Sequence, residues 1–123
     1  MLRVLLIDDS PLQLRVREAV LRDAGFEVYI ATTAETAHAL LRSGSIGDSI
    51  GVIVTDHILP GGSGADFVRQ LRQIKPAVPV IVITGLPQAE SEYVGLNVIF
   101  RQKPCPPPDL IALVREALRE AAA

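Results

Sequence analysis

Four short apolar runs in this chain each lead to polar or charged residues. Val4-Leu5-Leu6-Ile7 runs into Asp8-Asp9, and Ile50-Gly51-Val52-Ile53-Val54-Thr55 runs into Asp56. Val80-Ile81-Val82-Ile83 runs into Thr84-Gly85, and Val98-Ile99-Phe100 leads to Lys103-Pro104. Short, β-branched runs with turn residues after them read as buried strands. Their near-continuous apolar character marks strands covered on both faces, as in a parallel sheet. Amphipathic stretches separate them. Strict alternation of strand and helix, with right-handed crossovers, gives a parallel sheet with helices on both faces. Ligands of such open α/β sheets bind at the carboxyl edge, where the acids, Thr84 and Lys103 fall.

Taken in order, residues 3–7 form the first strand. Ser10 and Pro11 make an N-cap and N1 pair. The helix they open carries Leu12, Val16, Val20 and Leu21 at helical spacing and stops at Gly25. Residues 27–31 form a short strand. Thr32 or Thr33 caps the next helix, and Thr32 with Glu35 fits a capping box. Ala37, Leu40 and Leu41 form its buried face, with His38 on its surface. Residues 43–49 are a loop by composition. After Asp56 comes the loop His57-Ile58-Leu59-Pro60-Gly61-Gly62-Ser63-Gly64, then a helix from Ala65 to Lys75 that buries Phe67, Val68, Leu71 and Ile74. Strand 80–84 follows, then one short helix at best over 88–94, bounded by Pro87 and Gly95. Residues 97–100 form the last strand. Pro106-Pro107-Pro108-Asp109 starts a final helix with Leu110, Ile111, Val114 and Leu118 on one face. No repeat or linker divides the chain, so a single domain over residues 1–123 is expected.

Composition removes other classes. Of 123 residues, 49% are hydrophobic and 21% charged, which excludes disorder. A formal net charge of −2 gives no support for direct nucleic-acid or membrane binding. Cys105 is the only cysteine, which rules out an internal disulfide and fits a reducing cytoplasm. No apolar run approaches the ~20 residues needed to span a bilayer. With the first strand expected from residue 3, no signal peptide is expected.

Three carboxylates, Asp8, Asp9 and Asp56, converge on one sheet edge. Like charges this close raise one another's pKa unless a cation neutralises them. Few carboxylates plus waters suit Mg²⁺. Lys103 brings a point charge able to pair with phosphate, and Thr84 a hydroxyl. One carboxylate is left free to attack phosphorus, which fits covalent aspartyl-phosphate chemistry.

Asp8-Asp9, Asp56 with Pro60 and Gly64, Thr84-Gly85 and Lys103-Pro104, in this order and spacing, resemble the receiver domains of two-component response regulators. The resemblance covers essentially the whole chain. It implies a flavodoxin-like, doubly wound sheet of five strands in order 2-1-3-4-5. It makes Asp56 the phosphoacceptor, Asp9 a direct Mg²⁺ ligand, Asp8 a ligand largely through water, and the Ile58 carbonyl a further ligand. Thr84 and Lys103 hold the phosphoryl oxygens, and Phe100 is the rotating aromatic of a switch with Thr84. The implied phosphodonor is a histidine kinase or a histidine phosphotransfer protein. The implied output lies in an unknown partner or a fused module, and a homodimer stays open.

Some features depart from the family pattern. The span from Thr84 to Lys103 is short, so the fourth helix of the family is expected to be short or irregular. His57, Pro60-Gly61 and Thr84-Gly85 are similar to receiver domains attached to hybrid sensor kinases. His57 itself is expected to be a partly exposed loop residue with no role as ligand or base. Ile58 and Leu86, two residues after Asp56 and Thr84, are apolar where the family overhangs the path of a hydrolytic water. They imply a long-lived phosphoaspartate. Two other functions compete. An aspartyl-nucleophile phosphatase needs a second acid where Ile58 stands. A degenerate receiver that only binds partners would lack a site residue, and none is missing.

Overall fold

A computed structural model describes residues 2–122, so Met1 and Ala123, the ends of the expected domain, lie outside it. Its central sheet has five parallel strands: β1 (Arg3–Ile7), β2 (Val28–Ala31), β3 (Ile50–Asp56), β6 (Val80–Thr84) and β7 (Ile99–Gln102). Their order is β2-β1-β3-β6-β7, the doubly wound order expected. Between β3 and β6 lies a two-residue-per-strand hairpin, β4 (Ile58–Leu59) and β5 (Gly62–Ser63), turning at Pro60-Gly61.

The strands alternate their side chains between two cores, as the pleat requires. Leu5, Ile7, Ile53, Val80 and Val82 face one cluster with Ala37, Leu41, Phe67, Val68 and Leu71, which belong to α2 (Ala34–Leu41) and α4 (Gly64–Ile74). Val4, Leu6, Val52, Val54, Ile81 and Ile83 face the other. There they meet Leu14 and Leu21 of α1 (Pro11–Asp23) and Leu110, Val114 and Ala117 of α5 (Pro107–Ala122).

Helix ends follow local chemistry. Ser10 Oγ accepts from Gln13 N–H at 3.3 Å with Pro11 at the first helical position. Gly25, at φ 95°, closes α1 with its N–H on Arg22 O at 2.9 Å. Ser63 and Asp66 form a reciprocal capping box on α4.

Several local expectations are corrected. Thr33, not Thr32, caps α2, by accepting from Thr36 N–H at 3.1 Å. Residues 44–49 form a short helix, α3, instead of a loop. Gly47 lies so tightly under the Leu40 and Leu41 carbonyls that only a residue without Cβ fits, and this contact holds a sequence with poor helix propensity. In α1 the buried line runs through Leu14 and Leu21, leaving Leu12 76% exposed and Val16 exposed too. Ile74 is also exposed. His38 is buried against the Phe67 ring at 4.6 Å, not on the surface, because α2 turns that flank onto α4. The last strand starts at Ile99 and runs to Gln102.

The connection from β6 to β7 contains only a 3-10 helix, Pro87–Tyr93, the short element expected. Arg72 of α4 fastens the chain beyond it. Its guanidinium donates to the carbonyls of Leu96 (2.8 Å), Asn97 (3.0 Å), Val78 (2.7 Å) and Lys75 (3.2 Å).

Candidate functional site

Strand register places the site. Ile7 pairs with Thr55, Asp56 with Ile83, and Thr84 with Gln102. The residues at or just past these tips, Asp8, Asp56, Thr84 and Lys103, therefore form one row along the carboxyl edge. Lys103 N–H donates to Thr84 O at 2.8 Å, carrying the β6–β7 pairing one step beyond the strands.

Asp56 is only 8% exposed. Its Oδ2 accepts from Lys103 Nζ at 2.9 Å and its Oδ1 from the His57 N–H at 2.7 Å. Thr84 is buried, and its Oγ1 accepts from Leu86 N–H at 3.2 Å, which leaves the hydroxyl hydrogen free to donate. Asp8 is buried as well. Its Oδ1 accepts from Ser10 N–H at 2.9 Å and its Oδ2 from Arg17 at 3.2 Å. Burial pushes the Asp8 carboxyl above the usual carboxylate range, and the charge of Asp56 adds to this. The Ser10 N–H, Arg17 and Lys103 oppose the rise.

Asp9 stands exposed at the end of the row. Ile58 is 55% exposed on β4, two residues after Asp56, and Leu86 is exposed at the start of the 3-10 helix, two residues after Thr84. Phe100 is half-buried on β7, with its ring 5.8 Å from that of Tyr93.

Could this edge hold a metal? All its donors are oxygens, and Asp8 and Asp56 are close enough to raise the Asp8 pKa. A hard divalent cation fits that chemistry. Among the described residues no three His, Cys, Asp or Glu side chains form a preformed cage. A hydrated ion that keeps several waters needs none.

Arg17 and Gln13 at the site, and Tyr93 beside it, were not singled out by sequence, and His57 was expected to have no role as ligand or base. Arg17 and Gln13 project from α1 over the acids. The Gln13 amide donates N–H to Asp8 Oδ2 at 3.1 Å and accepts from Arg17 at 3.0 Å. Their i, i+4 spacing on α1 was the available signal. His57 and Tyr93 form the second pair. His57 is buried, contrary to expectation, with Nδ1 2.8 Å from the Tyr93 hydroxyl and Nε2 3.2 Å from Glu92. Tyr93 lies in the short helix that folds back over the loop, a tertiary contact with no local sequence signature.

Comparison with known proteins agrees with this fold. The response regulator receiver domain family matches residues 4–115. The transcriptional regulatory protein AruR of Pseudomonas aeruginosa is 31% identical over 121 residues, covering 95% of this chain and 49% of that protein. The alkaline phosphatase synthesis transcriptional regulatory protein SphR of Synechococcus elongatus is 29% identical, covering 97% of this chain and 49% of its own. The chain thus spans about half the length of the curated relatives it matches. A CheY-like receiver domain protein from Methanospirillum hungatei superposes with a TM-score of 0.89 at 24% identity, covering 99% of this chain and 97% of that one. With the family matched from the first strand into the last helix, and the same fold in its structural relative, this chain belongs to the response regulator receiver domains of two-component signalling.

Proposed function

We propose that the chain accepts a phosphoryl group on Asp56 in a Mg²⁺-dependent reaction, from a histidine kinase or a histidine phosphotransfer protein, and signals by a change of conformation. The observation that carries this is the Lys103 Nζ to Asp56 Oδ2 contact of 2.9 Å, with the buried Thr84 hydroxyl on the next strand tip. An Asp56 oxygen attacks phosphorus, and the bond from phosphorus to the donor nitrogen breaks. The electron pair and a proton go to the departing imidazole. Lys103 pairs with a phosphoryl oxygen, and Thr84 donates its hydroxyl hydrogen to another.

Asp9, Asp8, Asp56 and the Ile58 carbonyl would hold Mg²⁺, which when bound supplies charge neutralisation between carboxylate and phosphate. The chain's own part is to hold Asp56 between the His57 N–H and Lys103, and to keep Asp8 fixed by Ser10 and Arg17. Thr84 and Phe100 form the switch, and the surface around β7 and α5 is where it is read by a partner or a fused output module. Among the described residues no helix is long and apolar enough to cross a membrane. A cytoplasmic site of action follows from the phosphodonor.

Acetyl phosphate with Mg²⁺ tests the assignment. One phosphoryl group should add by mass, Asp56→Asn should take none, and omission of Mg²⁺ should suppress labelling. A parent chain that stays unlabelled is a degenerate receiver. An Asn variant labelled as well as the parent puts the acceptor elsewhere.

A further inference from the structure

We propose that Tyr93 is a positioning residue that acts through His57, coupling the Asp56 carboxylate to the 3-10 helix 87–93 and to Phe100. This rests on the acceptor role of Asp56 proposed above.

The contacts run in one continuous line. The His57 N–H donates to Asp56 Oδ1 at 2.7 Å, so the backbone of residue 57 reports directly on that oxygen. The His57 ring is buried, and its Nδ1 lies 2.8 Å from the Tyr93 hydroxyl. The Glu92 carboxylate, 3.2 Å from Nε2, can only accept, so a neutral ring carries its proton on Nε2. Nδ1 then accepts from the Tyr93 O–H. The Tyr93 ring meets His57 edge-on at 5.6 Å and Phe100 at 5.8 Å, so one side chain touches the acceptor loop and the β7 aromatic.

The same helix is tied to the site at its other end. Leu86, its N-cap, donates N–H to Thr84 Oγ1 at 3.2 Å. Residues 86–93 therefore span from the phosphate-binding hydroxyl to the neighbour of the acceptor. The loop behind Asp56 leaves no slack. Gly64 N–H donates to His57 O at 2.6 Å. A Cβ on Gly64 would come within 2.6 Å of both Asp56 O and the Tyr93 hydroxyl. A movement of Asp56 or Thr84 must be taken up by the short helix, and the Tyr93 hydroxyl carries it there. Losing that hydroxyl leaves His57 Nδ1 buried without a partner, which is costly enough to change how the segment moves.

The test is amide deuterium exchange of the full chain, with and without Mg²⁺ and beryllofluoride, the latter standing in for the phosphoryl group. In the parent, exchange should change at 87–93 and at 99–102. In Tyr93→Phe, which keeps the ring stack on Phe100, the change at 99–102 should fall about fivefold or more, the size of a usual coupling between sites. Acetyl phosphate should still label this variant. His57→Leu should show the same loss, and the double variant no further loss. His57→Gln, whose amide oxygen can accept the Tyr93 hydroxyl, should keep most of the response, which separates coupling from loss of packing. An undiminished response at 99–102 in Tyr93→Phe overturns the proposal. So does a labelled parent that shows no change at 87–93. A parent that takes no label removes the acceptor assignment and the coupling together.

Discussion

The Arg17 guanidinium lies 3.2 Å from Asp8 Oδ2, so the acidic edge of the sheet already carries a cation of its own beside Lys103. Both side chains are largely buried. A Mg²⁺ using Asp8 must bind near that charge. A unit charge about 6 Å from a divalent ion costs about 1.4 kcal/mol even at the dielectric of water, or tenfold in affinity. Arg17→Gln should therefore bind Mg²⁺ about tenfold more tightly, read from the melting temperature across a Mg²⁺ titration. Equal or weaker affinity in the variant would show that Arg17 acts with the metal instead of against it.

The lifetime of phosphorylated Asp56 should be long. A hydrolytic water must approach in line with phosphorus. Ile58 and Leu86, two residues after Asp56 and Thr84 and both exposed, carry side chains that can neither hydrogen-bond nor orient a water. Ile58→Asn and Leu86→Glu should each speed decay of the phosphorylated chain in excess Mg²⁺. Decay rates that stay at the parent value in both variants would remove occlusion as the cause.

His38 sets a pH limit on stability. Neither ring nitrogen has a hydrogen-bond partner among the described residues. Burial lowers its pKa, Arg42 adds to the lowering, and Gln70 opposes it without a well-formed bond. The unfolded chain, with an ordinary histidine pKa near 6.5, takes up the proton first as pH falls. Stability from this group is thus full above about pH 6.5 and declines below it. His38→Leu should flatten the urea stability profile between about pH 7 and 5 and raise stability at neutral pH by about 1 kcal/mol. An unchanged slope would mean that another group takes up the proton.

Among the described residues the hydrogen bonds of Arg72 all go to backbone carbonyls, which makes its removal informative. Arg72→Ala should cost about 3 kcal/mol in urea unfolding, because charge-assisted bonds to four carbonyls are lost at once. Arg72→Lys should recover less than half of it, since a single ammonium cannot span the fork that guanidinium does. Full recovery by lysine would reduce the role of Arg72 to its charge.

What could be read from the sequence was local. The runs at 4–7, 50–55 and 80–83 are apolar because both faces are covered, so strand positions and the parallel arrangement were visible, while the strand order came only with the family resemblance. The acids, Thr84 and Lys103 were visible because each lies at or just past the C-terminal tip of a strand. The helix at 44–49 was not, since its serines and glycines carry no helix signal and Gly47 fits only by tertiary contact. Leu12 and Val16 misled because apolar spacing does not say which stripe faces the sheet, and the Leu14–Leu21 line took that place. His38 and His57 were assigned to the surface by residue type. Their burial depends on Phe67 and Tyr93, which lie far along the chain.

Gly64 gives the site an unusual genetic profile. It carries no functional group, yet any side chain there presses on Asp56 from behind and on Tyr93 from the side. In a screen of random substitutions, position 64 would score with Asp56 itself, as a blind spot in signalling in a protein whose central five-stranded sheet is untouched.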